Sequence, residues 1–473
     1  MKGTDLYLGI ELGSTRIKAA LIDGDFKVIS GGSYAWENKF ENGWWTYSLE
    51  DVITGLRESF SALKKDYALK TGSVLKRVSA IGVSAMMHGY LVFDSQGRLL
   101  TPFRTWRNAR TQRAPDELTE LFGVRVPQRW SVSNLYQCIL DGEEHVSRIA
   151  RLTTLAGWVH SLLTGRNEVG VCEASGMFPV TGSDYDSRAL ELFCGVAAKY
   201  GFNKDLRSVL PQVRPAGAEG ACLTKEGALL LDPEGDLAPG IPVCPPEGDA
   251  GTGMTATNSV RPGTGSISAG TSVFALIVNG KPLSRVYREA EVLKTPDGSE
   301  VALLHSNNGC SEIDRWIDIF GEFAALCGNK IEKPGLYDLL YKHTVNAAPD
   351  CGGAAAFNCA SAEPVLGIET GYPMIIQKIR QSFNSCGSDT RSAMRHIRPA
   401  YGWSVGTQGK RGRLPRPDHR SRRTVQGARR SSADLGGRLR SRSFRHGIRR
   451  RGRSLRNGSA GGLYDRKGRQ ESG

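Results

Sequence analysis

The first part of the chain alternates short apolar runs with polar turns. The segments LYLGIELGS, RIKAALID and FKVISG follow one another in this way, which predicts three consecutive strands over residues 5–30. Residues 48–67 instead repeat apolar positions at helical spacing, and Ser48 with Asp51 forms a candidate capping box, so we expect a helix there. Residues 78–86, VSAIGVSAM, read as a buried strand. This order of elements indicates an α/β domain.

A second strand–turn–strand pattern lies at residues 263–280, GTGSISAGTSVFALIVNG, and it is similar to the first hairpin, LGIELGSTRIKAALID. Both place a Gly-Ser/Thr cluster between two apolar strands. A single turn of this kind is common in β-hairpins and by itself indicates no function. Two in equivalent places predict a weak internal repeat, with two related domains that each supply one loop to a shared cleft. Backbone N–H groups and hydroxyls from both loops would suit the phosphates of a nucleotide.

The net charge of +14 and the pI near 9.3 would by themselves suggest a polyanion partner. The charge is uneven, however. Residues 375–473 carry 26 of the 62 Lys and Arg but only five of the 48 Asp and Glu, which leaves 36 basic and 43 acidic residues in 1–374. The first four-fifths of the chain is therefore mildly acidic. From about residue 404 the periodicity is lost and apolar residues become sparse, which is typical of a segment that does not fold.

Cysteine usage and hydropathy exclude several classes of protein. The ten cysteines form no CxxC pair and no regular spacing, so we expect reduced, mostly buried thiols and no zinc site. The N-terminus has no apolar signal region, and no apolar run reaches about 18 residues. These features predict a cytoplasmic protein without a membrane partner.

Four motifs stand in order along the chain: GIELGSTRIKA (9–19), SAMMHGY (84–90), TWRNART (105–111), and PEGDAGTGMTATNSV (246–260) followed by SISAGTS (266–272). At these spacings they resemble the FGGY carbohydrate kinases, which phosphorylate pentuloses, hexuloses or glycerol. The resemblance covers roughly residues 4–374. It implies an α/β fold with two RNase-H-like domains of the actin/Hsp70/sugar-kinase ATPase type, of which the second is incomplete here.

The resemblance also implies boundaries and chemistry. We expect a sugar- and phosphate-binding N-terminal domain at 1–255, a partial C-terminal domain at 256–376, and an Arg-rich, disordered segment at 377–473. The reaction would be ATP- and Mg²⁺-dependent phosphorylation of a hydroxyl of a ketose or related polyol. Asp249 would be the general base, in a Gly-rich loop that lets the substrate approach closely.

Donors for the phosphates would come from both hairpin turns. Glu11 stands where the family usually has Asp and would hold Mg²⁺ through water, with one methylene more. The residues expected to bind the nucleotide phosphates are Gly13, Ser14, Thr15 and Lys18 in the first domain, and Gly270, Thr271 and Ser272 in the second.

The sugar would lie against the loop Met87-His88-Gly89, which resembles the family's Met-His-Gly loop. His88 would hydrogen-bond a sugar hydroxyl, although a satisfied core histidine is the alternative. Trp106, as an apolar wall, and Arg110 match the Trp-Asn-Asp-x-Arg segment of xylulokinases.

Two departures from the xylulokinase pattern concern the choice of sugar. Met86 replaces the usual Gln and Asn108 the usual Asp, so we expect altered hydrogen bonding at the sugar, and xylulose is not assured. Trp44 and Trp45 could line the same cleft or pack in the interior, and packing is favoured.

The family match stops soon after residue 374, where an apolar helix and Gly-rich loops for the adenine should follow. Codons can be chosen for residues 419–424 that, read one base later, give Ile-Gly-His-Gly-Gly. Residues 446–454 similarly permit Met-Glu-Ser-Ala-Gly-Glu-Gly-Gly. Both are similar to the family's nucleotide-binding loops. The Arg-rich segment is therefore predicted to be kinase sequence translated out of frame, from a slip near 375–384.

The frame slip predicts a chain impaired in ATP turnover, with a small-molecule sugar as its ligand and no nucleic-acid partner. The alternatives are a genuine basic arm that binds nucleic acid through phosphate contacts, and a non-catalytic, sugar-binding relic of the fold. By analogy with the family, a homodimer is a further expectation.

Overall fold

A computed structural model describes residues 5–108, 110, 111, 113–269 and 273–344, and then 355–357, 359–361, 363, 366, 368 and 370–376. All of these belong to one compact unit. The Arg-rich segment predicted at 377–473 lies outside the described residues.

The described residues form 21 short strands, 11 α-helices and one 3₁₀ helix, Glu144–Arg148. The strands are β1 Leu6–Leu12, β2 Arg16–Asp23, β3 Val28–Ala35, β4 Lys39–Glu41, β5 Trp44–Thr46, β6 Ala80–Ala85, β7 Leu91–Phe93, β8 Arg151–Thr153, β9 Glu168–Gly170, β10 Val180–Thr181, β11 Asp184–Tyr185, β12 Gln212–Arg214, β13 Ala221–Cys222, β14 Pro242–Val243, β15 Glu247–Gly248, β16 Gly265–Ala269, β17 Val273–Val278, β18 Ala290–Lys294, β19 Glu300–Ser306, β20 Ala355–Phe357 and β21 Met374–Ile376. The helices are α1 Leu49–Thr71, α2 Arg113–Phe122, α3 Ser131–Leu140, α4 Leu155–Thr164, α5 Val171–Ser175, α6 Ser187–Ala198, α7 Leu206–Val209, α8 Lys225–Leu231, α9 Asp249–Ala256, α10 Cys310–Leu326 and α11 Lys333–Thr344.

The central sheet of the N-terminal part has the strand order β13-β14-β6-β1-β2-β3, with β15 also paired to β6. The three strands predicted over residues 5–30 form its antiparallel edge, and the strand predicted at 78–86 is β6, which runs parallel to β1. Burial alternates along β2 as one-sided packing requires. Because β6 is parallel to both β1 and β15, the carboxyl ends of these three strands meet at one edge of the sheet.

The predicted helix is α1, and it begins where the capping signal placed it. The Ser48 hydroxyl accepts a hydrogen bond from the Asp51 backbone N–H at 3.2 Å. The helix packs directly on β3, because Gly32 presents no side chain there. A Cβ atom at Gly32 would lie 2.0 Å from the carbonyl oxygen of Ser59. The apolar stripe of α1 thereby reaches the core beneath the sheet.

An ion cluster joins α1 to the segment after α8. Lys64 Nζ lies 2.7 Å from Asp232, 2.8 Å from Glu234 and 2.8 Å from Asp236. The Asp232 side chain is only 4% exposed, so Lys64 supplies the cation that this buried carboxylate needs.

Replacing Lys64 with Met should lower the free energy of unfolding by about 2 kcal/mol, because it leaves Asp232 buried without its cation. Urea unfolding would measure the change, with the neighbouring, exposed Lys65→Met as the control. Equal stability of the two variants would contradict a structural role for the cluster.

The second part of the described chain begins with the hairpin predicted at 263–280. Strands β16 and β17 pair antiparallel, and the sheet continues in the order β16-β17-β19-β18. The turn between β16 and β17, residues 270–272, lies outside the described residues. The β18 strand contacts the N-terminal part, since Glu291 forms an ion pair with Arg129 and the Lys294 N–H donates to Ser175 Oγ at 2.9 Å.

Exposed apolar surface concentrates in this second part. Of the 22 large apolar side chains that are exposed among the described residues, 13 lie between residues 267 and 376. On α10, Phe323 is 65% exposed and Leu326 is 81% exposed. A domain of this kind ordinarily covers such faces with further chain.

Within the described part of the chain, no helix combines the length and the hydrophobicity that a membrane crossing requires.

Candidate active site

Asp249 lies at the edge of the central sheet where β1, β6 and β15 end. It follows β15 directly and is the first residue of α9, with Gly248 as the N-cap. Its Oδ1 accepts a hydrogen bond from the Met87 backbone N–H at 3.4 Å. The structure thus brings together two motifs, the predicted base and the Met87–Gly89 loop, that are separated by 162 residues.

The surroundings of Asp249 favour a proton acceptor that works near neutral pH. Solvent reaches the carboxyl group, yet loss of hydration among the surrounding residues raises its pKa to about 6. The backbone N–H groups of Met87 and Ala250 oppose this rise, and the negative charge of Glu11 adds to it. General bases function best with a pKa close to the working pH.

This pKa has a consequence for stability. Because the folded-state pKa exceeds the ordinary value of 3.8, ionising Asp249 costs stability. The cost is absent below about pH 4 and complete above about pH 6. Asp249→Asn removes this cost. As the pH rises from 4 to 7, the free energy of unfolding of the variant should therefore increase by about 1 kcal/mol relative to that of the native chain. This increase is smaller than the same rise in pKa would give for a fully buried carboxyl group, because solvent screens the Asp249 carboxylate.

Urea unfolding of both proteins across this pH range would measure the difference, with Asp25→Asn in the exposed β2–β3 turn as the control. A stability difference between Asp249→Asn and the native chain that stays constant from pH 4 to pH 7 would contradict the raised pKa.

His88 is held as a neutral imidazole with a fixed tautomer. Burial, reinforced by the charge of Arg129, lowers its pKa to about 3. Nδ1 lies 3.0 Å from the carbonyl oxygen of Gly176, so Nδ1 carries the proton and Nε2 is an acceptor. No described residue hydrogen-bonds Nε2. The histidine is therefore satisfied on one side, as the alternative expected, and keeps an acceptor for a hydroxyl on the other.

The backbone of this loop is unusual. His88 has φ +69° and Gly89 has φ +100°. A Cβ atom at Gly89 would lie 2.8 Å from Phe103 Cε2 and 2.9 Å from the Arg104 carbonyl oxygen. Gly89 is thus required by backbone conformation and by space, and it lets the loop turn back towards Asp249.

The β1–β2 turn, Gly13–Thr15, is fixed by two aromatic residues. Trp36 Nε1 donates to the Gly13 carbonyl at 2.7 Å, and the Tyr47 hydroxyl donates to the Ser14 carbonyl at 2.8 Å. The two rings stack with centroids 4.1 Å apart. The turn residues Ser14 and Thr15 are exposed, and their hydroxyls bind no described residue. The corresponding predicted residues of the second turn, 270–272, are outside the described residues.

Glu11 and Lys18 face each other across β1 and β2. Lys18 Nζ lies 2.9 Å from Glu11 Oε2, and each side chain is about half exposed. Glu11 lies close enough to Asp249 to raise its pKa, so the predicted metal ligand and the predicted base are neighbours. Two carboxylates at an open position are the hard oxygen donors that a partly hydrated Mg²⁺ prefers, so the residues fit that ion.

Two buried carboxyl groups lie behind Asp249, and the sequence motifs did not indicate them. Glu247 accepts the backbone N–H of Glu173 at 2.9 Å, and burial raises the Glu247 pKa to about 8. Glu173 is fully buried, and neither of its carboxyl oxygens makes a hydrogen bond of good geometry, although the Thr154 hydroxyl lies near enough to oppose the rise in its pKa. Burial raises its pKa well above the ordinary range, which favours a protonated carboxyl group. A Cβ atom at Gly248 would lie 2.4 Å from Glu173 Oε2.

Trp106 and Arg110 are the other two residues predicted to bind the sugar. The contacts described for them are not with Asp249 or the Met87–Gly89 loop. Trp106 is 41% exposed in a turn. The Arg110 guanidinium lies over the Trp44 ring, 5.1 Å from its centroid, and lines a cavity there. No described hydrogen bond joins either residue to the Met87–Gly89 loop.

The two departures from the xylulokinase pattern have structural roles. The Met86 side chain is buried in the core. Asn108 accepts the Trp45 N–H at 2.9 Å and donates to the carbonyls of Trp45, at 2.9 Å, and Thr105, at 3.0 Å. An Asp could not donate to either carbonyl. Met86 thus packs in the core and Asn108 holds the β5 backbone, and the expected change in hydrogen bonding at the sugar stays a prediction.

Comparisons with known proteins concern the family and the fold of this chain. Residues 6–254 match the N-terminal domain of the FGGY family of carbohydrate kinases. The xylulose kinase of Haemophilus influenzae is 23% identical over 299 residues, 59% of this chain and 57% of that protein. The glycerol kinase of Thermococcus gammatolerans is 25% identical over 290 residues, 58% of this chain and 54% of that protein. The chain thus spans little more than half the length of these relatives.

The fold is also similar to that of a solved sugar kinase. The structure of xylulose kinase from Rhodospirillum rubrum matches with a TM-score of 0.66 at 15% identity, over 85% of this chain and 78% of that one. At this identity the match concerns the fold, and it agrees with the predicted α/β architecture of the sugar-kinase type. Because the family match covers more than half of the residues, this chain belongs to the FGGY family of carbohydrate kinases.

Proposed function

We propose that this chain is a carbohydrate kinase sequence whose reaction is transfer of the γ-phosphoryl group of ATP to a hydroxyl of a ketose or related polyol. One observation carries the proposal. Asp249, the Met87–Gly89 loop and Glu11 meet at one edge of the central sheet, where a base, a sugar-facing loop and a metal ligand are all required.

In the proposed reaction, Asp249 receives the proton of the sugar hydroxyl as that oxygen attacks. A bond forms from the sugar oxygen to the γ-phosphorus, and the bond from that phosphorus to the ADP oxygen breaks. Most Asp249 carboxyl groups are ionised at pH 7, and the nearness of their pKa to neutrality makes the proton transfer favourable.

The other residues would bind and orient. Nε2 of His88 would accept a hydrogen bond from a second sugar hydroxyl, with Met87 and Gly89 beside it. Gly13, Ser14, Thr15 and Lys18 would contact the phosphates, together with Gly270, Thr271 and Ser272. Glu11 would hold Mg²⁺ through water, and the ion would offset the negative charge of the phosphates. Trp106 and Arg110 remain candidate sugar residues from the resemblance alone.

We further propose that residues 377–473 are kinase sequence read out of frame, after a partial C-terminal domain at 256–376. The exposed apolar side chains on α10 support this, because they require the covering that in-frame sequence would supply. Sequencing the coding DNA across codons 370–400 tests it. A missing or extra base is expected, whereas an intact frame would favour a genuine basic arm.

The function itself is tested with the full chain as it is. We expect a ketose or glycerol, titrated against intrinsic tryptophan fluorescence, to bind saturably, and ATP turnover to be weak or absent because the adenine-binding segment is missing. Normal turnover by this chain would overturn the proposed impairment, and failure of every ketose and polyol to bind would overturn the proposed substrate class. The homodimer stays a prediction from the resemblance, and the cytoplasmic location stays a prediction from the cysteine usage and the hydropathy of the sequence.

A further inference from the structure

A buried carboxyl group lies behind Asp249 and contacts a helix that comes much earlier in the chain. Glu247 is the first residue of β15, and it is only 7% exposed. Its Oε2 accepts the backbone N–H of Glu173 at 2.9 Å, and its Oε1 accepts that of Cys172 at 3.4 Å. Both donors belong to the first turn of α5. Glu247 therefore caps α5 from a distance of 74 residues along the sequence.

The start of α5 depends on this cap. The first N–H groups of a helix have no acceptor within the helix itself. Gly170, the N-cap residue of α5, has no side chain that could accept from them. A Cβ atom at Gly170 would also lie 2.2 Å from Glu247 Cδ and 2.2 Å from its Oε1, so only glycine leaves room for the carboxyl group. Gly170 and Glu247 thus fit each other as a pair.

The other end of α5 holds His88. The helix is followed by Gly176, whose carbonyl oxygen lies 3.0 Å from His88 Nδ1. A Cβ atom at Gly176 would lie 2.8 Å from that nitrogen and 2.9 Å from Met87 Cε, so the backbone runs directly against the Met87–Gly89 loop. A helix of five residues is only about 7 Å long. The position of its first turn therefore determines where its last carbonyl groups lie.

These contacts form a closed ring. The backbone joins Asp249 through Gly248 to Glu247, and Glu247 holds the start of α5. The chain that follows α5 holds His88, and the Met87 N–H returns to Asp249 Oδ1 at 3.4 Å. Because each link is a covalent segment or a hydrogen bond, the ring holds the Asp249 carboxyl group and the His88 imidazole at one separation.

We propose that Glu247 is a positioning residue for phosphoryl transfer, which caps α5 and thereby holds His88 Nε2 at the distance from Asp249 that one sugar molecule spans. The inference rests on the proposed function, and it assigns Glu247 no contact with the substrate. One sugar hydroxyl must meet Asp249 while another binds His88. A displacement of about 1 Å between these two groups would lower the rate strongly.

The positioning of His88 can be measured without sugar or ATP. In the full chain with ¹⁵N-labelled histidine, NMR shows which ring nitrogen carries the proton, and His88→Gln identifies the His88 signal. Glu247→Ala should shift or broaden the Nδ1–H signal, because α5 loses its cap and the Gly176 carbonyl is displaced. Glu247→Gln should preserve the signal, since the amide oxygen can still accept the Glu173 N–H.

Asp232→Ala is the matched control. Asp232 is 3% exposed and also accepts a backbone N–H at 2.9 Å, that of Leu237, but it belongs to the ion cluster around Lys64. This variant should lose stability in urea, as Glu247→Ala does, and should leave the His88 signal unchanged. Circular dichroism would establish folding. If Glu247→Ala does not fold, Glu247→Asp replaces it, because its side chain is one methylene too short for the same contacts.

The consequence for the reaction is measured in the protein with its reading frame restored. Glu247→Ala should lower kcat about tenfold or more, whereas Glu247→Gln and Asp232→Ala should stay close to the native rate. A purely structural role of Glu247 would lower the rates of Glu247→Ala and Asp232→Ala alike.

Three results would overturn the proposal: a native His88 with its proton on Nε2, a His88 signal that Glu247→Ala leaves unchanged, and a native kcat in Glu247→Ala. Failure of the proposed function gives a different result. The native frame-restored protein would then transfer no phosphate, while the His88 signal would still respond to Glu247→Ala and not to Asp232→Ala.

Discussion

Replacing Asp249 with Asn should lower the rate of phosphoryl transfer by about 10²–10⁴-fold, the contribution expected of a positioned general base. The amide keeps the shape of the side chain and can still contact the Met87 loop, but it cannot take the hydroxyl proton. The affinity for the sugar should therefore change much less than the rate. Initial rates of ADP formation, measured in the protein with its reading frame restored, would separate kcat from KM.

The control for this variant is Asp25→Asn, which removes a carboxylate from the exposed β2–β3 turn. It should leave the rate unchanged. A rate for Asp249→Asn within threefold of the native rate would exclude Asp249 as the base, even if the sugar still binds.

Gly248→Ala should have the second largest effect, on stability and sugar binding together. The added Cβ would lie 2.0 Å from Met87 Cγ and 2.4 Å from Glu173 Oε2, so one of these neighbours must move. We expect a loss of about 3 kcal/mol in the free energy of unfolding, as for other overpacked interiors. Because Met87 adjoins His88, we also expect sugar affinity to fall about tenfold or more.

Gly253→Ala is the matched control, since Gly253 lies in α9, the helix that Gly248 caps, and a Cβ atom there meets nothing within 4 Å. It should stabilise the chain slightly by favouring the helix. Urea unfolding and sugar titration of the two variants would give the comparison. Equal stability of Gly248→Ala and Gly253→Ala would contradict the close packing behind Asp249.

The sequence predicted the strands and helices whose patterns lie within a single short segment of the chain. Strands β1 to β3, helix α1 with its Ser48 cap, strand β6 and the β16–β17 hairpin were all predicted from alternation, helical spacing and capping. The packing of α1 against Gly32 was not predicted. A close approach between a helix and a strand leaves no periodic signal in either segment.

The sequence predicted those residues of the candidate site that belong to a motif. Motif order placed Asp249 and the Met87–Gly89 loop in one site, and the structure brings them within hydrogen-bond distance. The clamp formed by Trp36 and Tyr47, and the buried Glu173, were missed, since their roles depend on contacts across the fold.

The role of Asn108 was also not predicted. A motif states which residue type is usual at a position, but it does not state which backbone groups the side chain binds. The orientation of the side chain towards the Trp45 backbone became visible only with the β4–β5 hairpin in place.

The proposed kinase reaction is tested first by an assay of ATP-dependent phosphorylation on a panel of ketoses and polyols. It would compare this chain with the protein obtained by adding or removing one base near codon 380. We expect transfer to at least one of these substrates by the frame-restored protein, and transfer at least 100-fold slower by this chain. A frame-restored protein that folds and binds a sugar but transfers no phosphate would contradict it.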